Sequence, residues 1–193
     1  MKYFSLIVLF TFLSCGNKED ILLPKANTTI VKNVDDLSPI YIFFRTKEKD
    51  TLAEVNRKNS IISTNWILNI DKRLSLRIVI PEIMKLQDKK RTEKAHKNEK
   101  AQNYYSYADT IGKNLAFISF TNVYYKLGKP KFGVIIFFTK SNEILVDNLA
   151  VKRKKLKEYL NKLPSDETNK YFFCFDKDLS FGVTFRIKFS FKV

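Results

Sequence analysis

An α+β fold, with mixed or antiparallel sheets, amphipathic helices and room for two related ββαβ-like halves, is predicted by three features of the 193-residue chain. Short apolar runs of strand length, such as PIYIFFRT, GVIIFFT and KYFFCF, are rich in aromatic and β-branched residues and are bounded by turn residues. Between them lie stretches with a helical stripe, notably Ile83, Leu86 and Lys90, and later Leu149, Leu156, Tyr159, Leu160 and Leu163. An apolar content of 45%, with 17 Phe and 9 Tyr, is enough to fill a core, which disordered chains lack.

From the N-terminus, Met1 and Lys2 precede an apolar stretch from Tyr3 to Leu13, then Ser14 and Cys15. Those 11 residues are too few for a membrane-spanning helix, which takes roughly 20, and suit a signal peptide over residues 1–14. Residues 15–38 mix polar residues with Pro24 and Asn27 without a sustained period, and read as a flexible tether that follows a lipidated cysteine.

A first α+β half is expected over 39–128. PIYIFFRT and SIISTNWILNID (60–71) read as strands, and Pro81 with Glu82 fits the first turn of a helix. Leu74, Leu76, Ile78 and Ile80 also alternate as a strand does. The polar run through Asn103 reads as a helix end and loop, and NLAFISFTNVYYKL (114–127) restores a strand. Gly128 and Pro130 mark a joint. The second half, 129–193, opens with a hairpin: a strand to Phe138, a turn around Lys140 to Asn142, then Ile144 and Val146 on the return. Asp147 or Asn148 is placed to cap the next helix, which Pro164 ends. After KYFFCF and a turn at DKDLSFG, the tail VTFRIKFSFKV alternates strictly and predicts a strand covered on one face. YIFFRTKEKDTL (41–52) and IIFFTKSNEIL (135–145) echo each other, through either duplication or chance.

Leu13, Ser14, Cys15 and Gly16 resemble the lipobox of a bacterial lipoprotein signal, with Phe12 standing where an aliphatic residue is usual. The resemblance implies that the Cys15 thiol takes a diacylglycerol thioether and that the freed amine is acylated, for instance with palmitate. Two or three chains hold a membrane firmly, where one binds marginally. Lys18, Glu19 and Asp20 resemble the surface-export signal of Bacteroidetes-type lipoproteins, which implies the outer membrane, on its periplasmic or its surface face. Residues 132–182 resemble the periplasmic domain of the biopolymer-transport proteins ExbD and TolR. The carriers are VIIFFTKSNEILVD, the helix after it and YFFCFDKDLSFG, with Asp176, Lys177, Asp178 and Gly182 in the family's turn. NWILNIDKRLSL supplies the corresponding strand and turn of a diverged first copy. The family's stator function needs an N-terminal transmembrane helix bearing an Asp, which the signal replaces, so no motor role is implied. The family places a helix after Gly182, where the alternating tail reads as a strand.

The formal charge of +15 concentrates in residues 85–100 and 152–162. Both read as solvated faces, so nucleic acid is not an expected partner, and an exported protein meets anionic lipid or lipopolysaccharide first. One His and two Cys leave little for zinc or a Ser-His-Asp triad, so no metal, cofactor or catalytic set is expected. Cys174 reads as a buried small hydrophobe. The expected role is a non-enzymatic envelope binding or assembly module, held at the membrane by its anchor and meeting envelope proteins. The alternatives are adhesion to anionic glycans or lipopolysaccharide through the basic stretches, and a hydrolase using Asp71, Asp176, Asp178 and Glu143 at strand ends.

Overall fold

Strand-length apolar runs bounded by turns become the framework. The computed structural model describes residues 20–58, 60–128, 130–162 and 170–191. The expected signal segment, and with it Cys15, Lys18 and Glu19, lies outside the described residues. In the first sheet, β1 is Lys25–Ala26, β2 Leu37–Lys47, β3 Asp50–Asn56, β4 Asn65–Ile70, β5 Asn103–Asp109 and β6 Asn114–Ser119. β2 and β3 form the hairpin, and β4 lies parallel to β2, with Ile40 beside Leu68 and Ile42 beside Ile70. β5 runs parallel to β4, and β6 returns antiparallel along the far edge of β5. A strand has only two edges, so β1 takes what β4 leaves free, pairing Lys25 with Ala108 at the end of β5.

The second sheet holds β7 (Val134–Phe138), β8 (Ile144–Val146), β9 (Leu149–Ala150) and β10 (Tyr171–Phe175), in the order β10-β7-β8-β9. The expected hairpin at 140–142 joins β7 to β8, and β10 lies parallel to β7. The helices are α1 (Leu76–Thr92), α2 (Arg153–Lys162) and α3 (Phe181–Phe191). The architecture is therefore α+β with two mixed sheets, as expected. Ile83, Leu86 and Lys90 all lie on the buried side of α1, and Gly128 has a φ of +96° at the expected joint.

The two halves repeat one plan: a hairpin, a strand parallel to its first strand, a turn reading Asp-Lys-Xaa-Leu-Ser, and a helix. Asp71 N donates to Ile42 O at 3.0 Å, and Asp176 N to Phe138 O at 2.9 Å. Asp71 Oδ1 accepts from Arg73 N at 3.0 Å, and Asp176 Oδ1 from Asp178 N at 2.9 Å. The turns then grip each other reciprocally. Leu76 N donates to Leu179 O (2.9 Å) and Phe181 N to Leu74 O (2.7 Å); Arg77 N donates to Lys177 O (2.8 Å) and Gly182 N to Lys72 O (3.0 Å). Ser75 faces Ser180 across this pseudo-two-fold axis. The sequence echo in the first strands does not coincide with this shared plan: Ile42, not Phe44, occupies the place of Phe138.

Four expectations need correcting. The tail is helix α3, not a strand. An alternating sequence also repeats at i, i+4 and i+8, so Phe181, Phe185 and Phe189 form a helical row, with neighbouring rings 6.3 and 5.9 Å apart. α1 starts five residues before Pro81, which lies one turn inside it. Its first N–H groups, orphans in an isolated helix, are taken by carbonyls of the opposite turn. Leu149 belongs to β9 rather than to a capped helix, while Leu160 and Leu163 are not among the side chains described.

The tether expected over 15–38 is docked from Leu22 onward. Leu22 O accepts from Lys72 N at 2.8 Å, Ile30 N donates to Tyr107 Oη at 2.9 Å, and Val31 bridges Phe117. A two-residue strand held by backbone bonds leaves no side-chain period to read. The loop expected through Asn103 gives way there to the inner strand β5, which carries YYSYAD.

Gly182 approaches the opposite turn so closely that a Cβ would sit 2.8 Å from Lys72 Cβ and 3.2 Å from Lys72 O. Gly182→Ala is expected to lower stability by about 1–2 kcal/mol, although Ala is ordinarily the better helix former, because the clash separates the turns. A denaturant midpoint that rises would contradict this.

Candidate functional site

Where the two halves meet, the residues leave an apolar cavity of about 1320 Å³. Its walls come from the end of β6 and the chain after it (Ile118, Phe120), from α3 (Phe185, Phe189) and from the second sheet (Ile135, Phe137). Alternation in β7 divides the strand. Ile136 and Phe138 are sealed in the core, while Ile135 and Phe137 are only partly buried and line the cavity. α3 packs its aromatic row against β5, with Tyr107 5.3 Å from Phe185 and 5.4 Å from Phe189.

One polar group stands in this apolar lining. Tyr105 Oη and Tyr125 Oη are 2.7 Å apart, and Lys188 Nζ donates to Tyr125 Oη at 3.1 Å with its ammonium 4.5 Å from the ring centroid. Burial, and after it the neighbouring Tyr125 hydroxyl, pushes the Tyr105 phenol well above its ordinary range, so it stays protonated. Arg77, Lys126 and Lys177 also line the cavity, as do Asp147 and Asp176. The two carboxylates are occupied by backbone, accepting from Ile135 N (3.0 Å) and Asp178 N (2.9 Å) respectively.

Each candidate carboxylate has a partner close by. Asp71 is buried and salt-bridged to Arg73 at 2.7 Å. Burial alone raises its pKa, but the guanidinium and the N–H groups of Arg73 and Leu22 outweigh it and hold the carboxyl below its ordinary value. Asp178 lies 3.6 Å from Arg77, and Glu143 accepts from Ser141 Oγ at 3.0 Å. Among the described residues no group of three or more His, Cys, Asp or Glu is placed to hold a metal, and no helix is long and apolar enough to cross a membrane. Asp20 is exposed at the start of the described chain, and Cys174 is half-buried in β10 at the cavity wall.

In the basic stretch 85–100, Lys90 is a buried cation with a structural job. Lys90 Nζ sits 4.9 Å from the Trp66 ring centroid and donates to Thr64 O (2.8 Å) and Gln102 O (3.2 Å). Neither the cavity nor the Lys188–Tyr125–Tyr105 chain was read from the sequence. Tyr105, Tyr125 and Lys188 lie far apart along it, and the alternation of the tail had placed Lys188 on an outward strand face. Comparison with protein-family models, curated proteins and solved structures returns no match.

Two outcomes are expected from these charges. Asp71→Asn weakens folding by about 2–4 kcal/mol, since it leaves bonds to Arg73 and Leu22 poorly satisfied, while Asp176→Asn, with one backbone bond, costs about 1 kcal/mol or less. Urea unfolding of the two variants checks the order. Burial pushes Lys90 down to about 8 from 10.5. Between those pH values the unfolded chain binds more protons than the folded one, so stability contributed by this group rises with pH there. Lys90→Met is expected to flatten that part of the stability–pH curve; an unchanged slope would count against it.

Proposed function

We propose that the chain is a lipid-anchored protein of the bacterial cell envelope whose folded body is a non-enzymatic binding module, with the cavity between its halves as the binding site. The observation that carries this reading is the cavity itself: about 1320 Å³ of mostly apolar space, larger than common small-molecule sites of roughly 300–1,000 Å³, with aromatic walls and a few placed polar groups. The anchor rests on the Leu13–Gly16 lipobox, and the outer membrane on Lys18, Glu19 and Asp20. The repeated strand–turn–helix plan around Asp71 and Asp176 supports kinship in form with the ExbD and TolR periplasmic domain. The engagement of Asp71 by Arg73, Asp178 by Arg77 and Glu143 by Ser141 favours binding over hydrolysis.

Mass spectrometry of the protein recovered from envelopes tests both parts. The expected chain starts at an acylated Cys15 without residues 1–14, and mild organic extraction releases a co-purifying apolar molecule in stoichiometric amount. An unmodified Cys15 in a chain that keeps residues 1–14 would overturn the anchor, and an extract without any bound molecule would count against the cavity as a site.

A further inference from the structure

Resting on the reading of the cavity as a binding site, we propose that its ligand is an acyl chain ending in one anionic group, a carboxylate or phosphate, anchored by Lys188 and Tyr125. Lys188 is the observation that selects this class. It lies in the last turns of α3 on the side that carries Phe185 and Phe181, three and seven residues earlier, among apolar wall residues. Among the described residues it makes no salt bridge: no carboxylate oxygen lies within 4.0 Å of its ammonium.

An ammonium has three donors, and Tyr125 Oη accepts one of them. Either hydroxyl of the 2.7 Å pair can donate; the bond is taken to run from Tyr105, whose side chain is buried and whose O–H would otherwise be left without an acceptor. Tyr125 then accepts from both Tyr105 and Lys188, and its own proton is turned outward. Two donors, a lysine N–H and a phenol O–H polarised by the ammonium, therefore converge where the lining changes from apolar to basic. Lys126 and Lys177 contribute further positive charge; Arg77 is paired with Asp178 at 3.6 Å, and Asp147 and Asp176 each hold one backbone N–H group. A neutral ligand would leave Lys188 uncompensated, and a bare anion would leave the apolar volume unfilled. An anionic amphiphile satisfies both.

Calorimetric titration of the full chain, stripped of bound lipid, with dodecanoate, dodecanol and acetate separates the possibilities. Dodecanoate is expected to bind about tenfold to a hundredfold more tightly than dodecanol, the range of a hydrogen-bonded charged head, and acetate to give no measurable heat. Lys188→Met is expected to remove the preference for dodecanoate over dodecanol, Lys188→Arg to keep it, and Tyr125→Phe to reduce it several-fold. Equal binding of dodecanol and dodecanoate would overturn the anionic head while leaving the cavity reading intact. Acetate binding as tightly as dodecanoate would overturn the acyl chain, and binding of none of the three would overturn the cavity reading as well.

Discussion

The structure depends on the reciprocal grip of two turns. Four backbone hydrogen bonds join residues 72–77 to residues 177–182, each matched by its counterpart across the pseudo-two-fold axis. Each such bond contributes only about 0.5–1.5 kcal/mol net, but the donors belong to first helical turns. Leu76 and Phe181 are buried, so losing the partner strands their N–H groups away from water at a further cost of roughly 1–3 kcal/mol each. The grip therefore fixes where α1 and α3 begin. Through α3 it also fixes the aromatic row against Tyr107, and with that row the wall of the cavity.

The two turns differ in what they supply. The first carries the buried Asp71, salt-bridged to Arg73 and accepting a backbone bond from Leu22, so it also holds the N-terminal segment against the sheet. The second keeps the smallest residue, Gly182, where the first has Arg77, and that lets the backbones approach. One turn supplies electrostatic fastening and the other supplies space. The sheets follow suit: the first is extended by β5, β6 and β1, whereas the second stops at four strands and leaves Ile135 and Phe137 partly uncovered.

That incompleteness is where binding becomes possible. A chain with 17 Phe has more than enough apolar surface to close its core, yet the residues after β6 span the gap between the sheets without filling it. Lys188 stands at this gap half-buried, with the Tyr125 hydroxyl as its hydrogen-bond partner. A lipid anchor at Cys15 would hold such a cavity within reach of membrane amphiphiles, so the address and the site are consistent with one role.

The sequence by itself determined the local pieces: the hairpin at 140–142, the strands around Phe43, Trp66 and Phe173, and the buried side of α1. These follow from apolar periodicity and turn chemistry, which act over a few residues. Only the tertiary structure decided the rest. It made the alternating tail a helix, because the opposite turn supplies acceptors for its first N–H groups. It drew residues 22–31 onto the sheet through bonds to Asp71, Tyr107, Asp109 and Phe117, all far away along the chain. It brought Lys188 to Tyr125, 63 positions away, and Tyr125 to Tyr105. Periodicity reports which face of an element is apolar; which element covers that face depends on long-range pairing, and no local pattern encodes it.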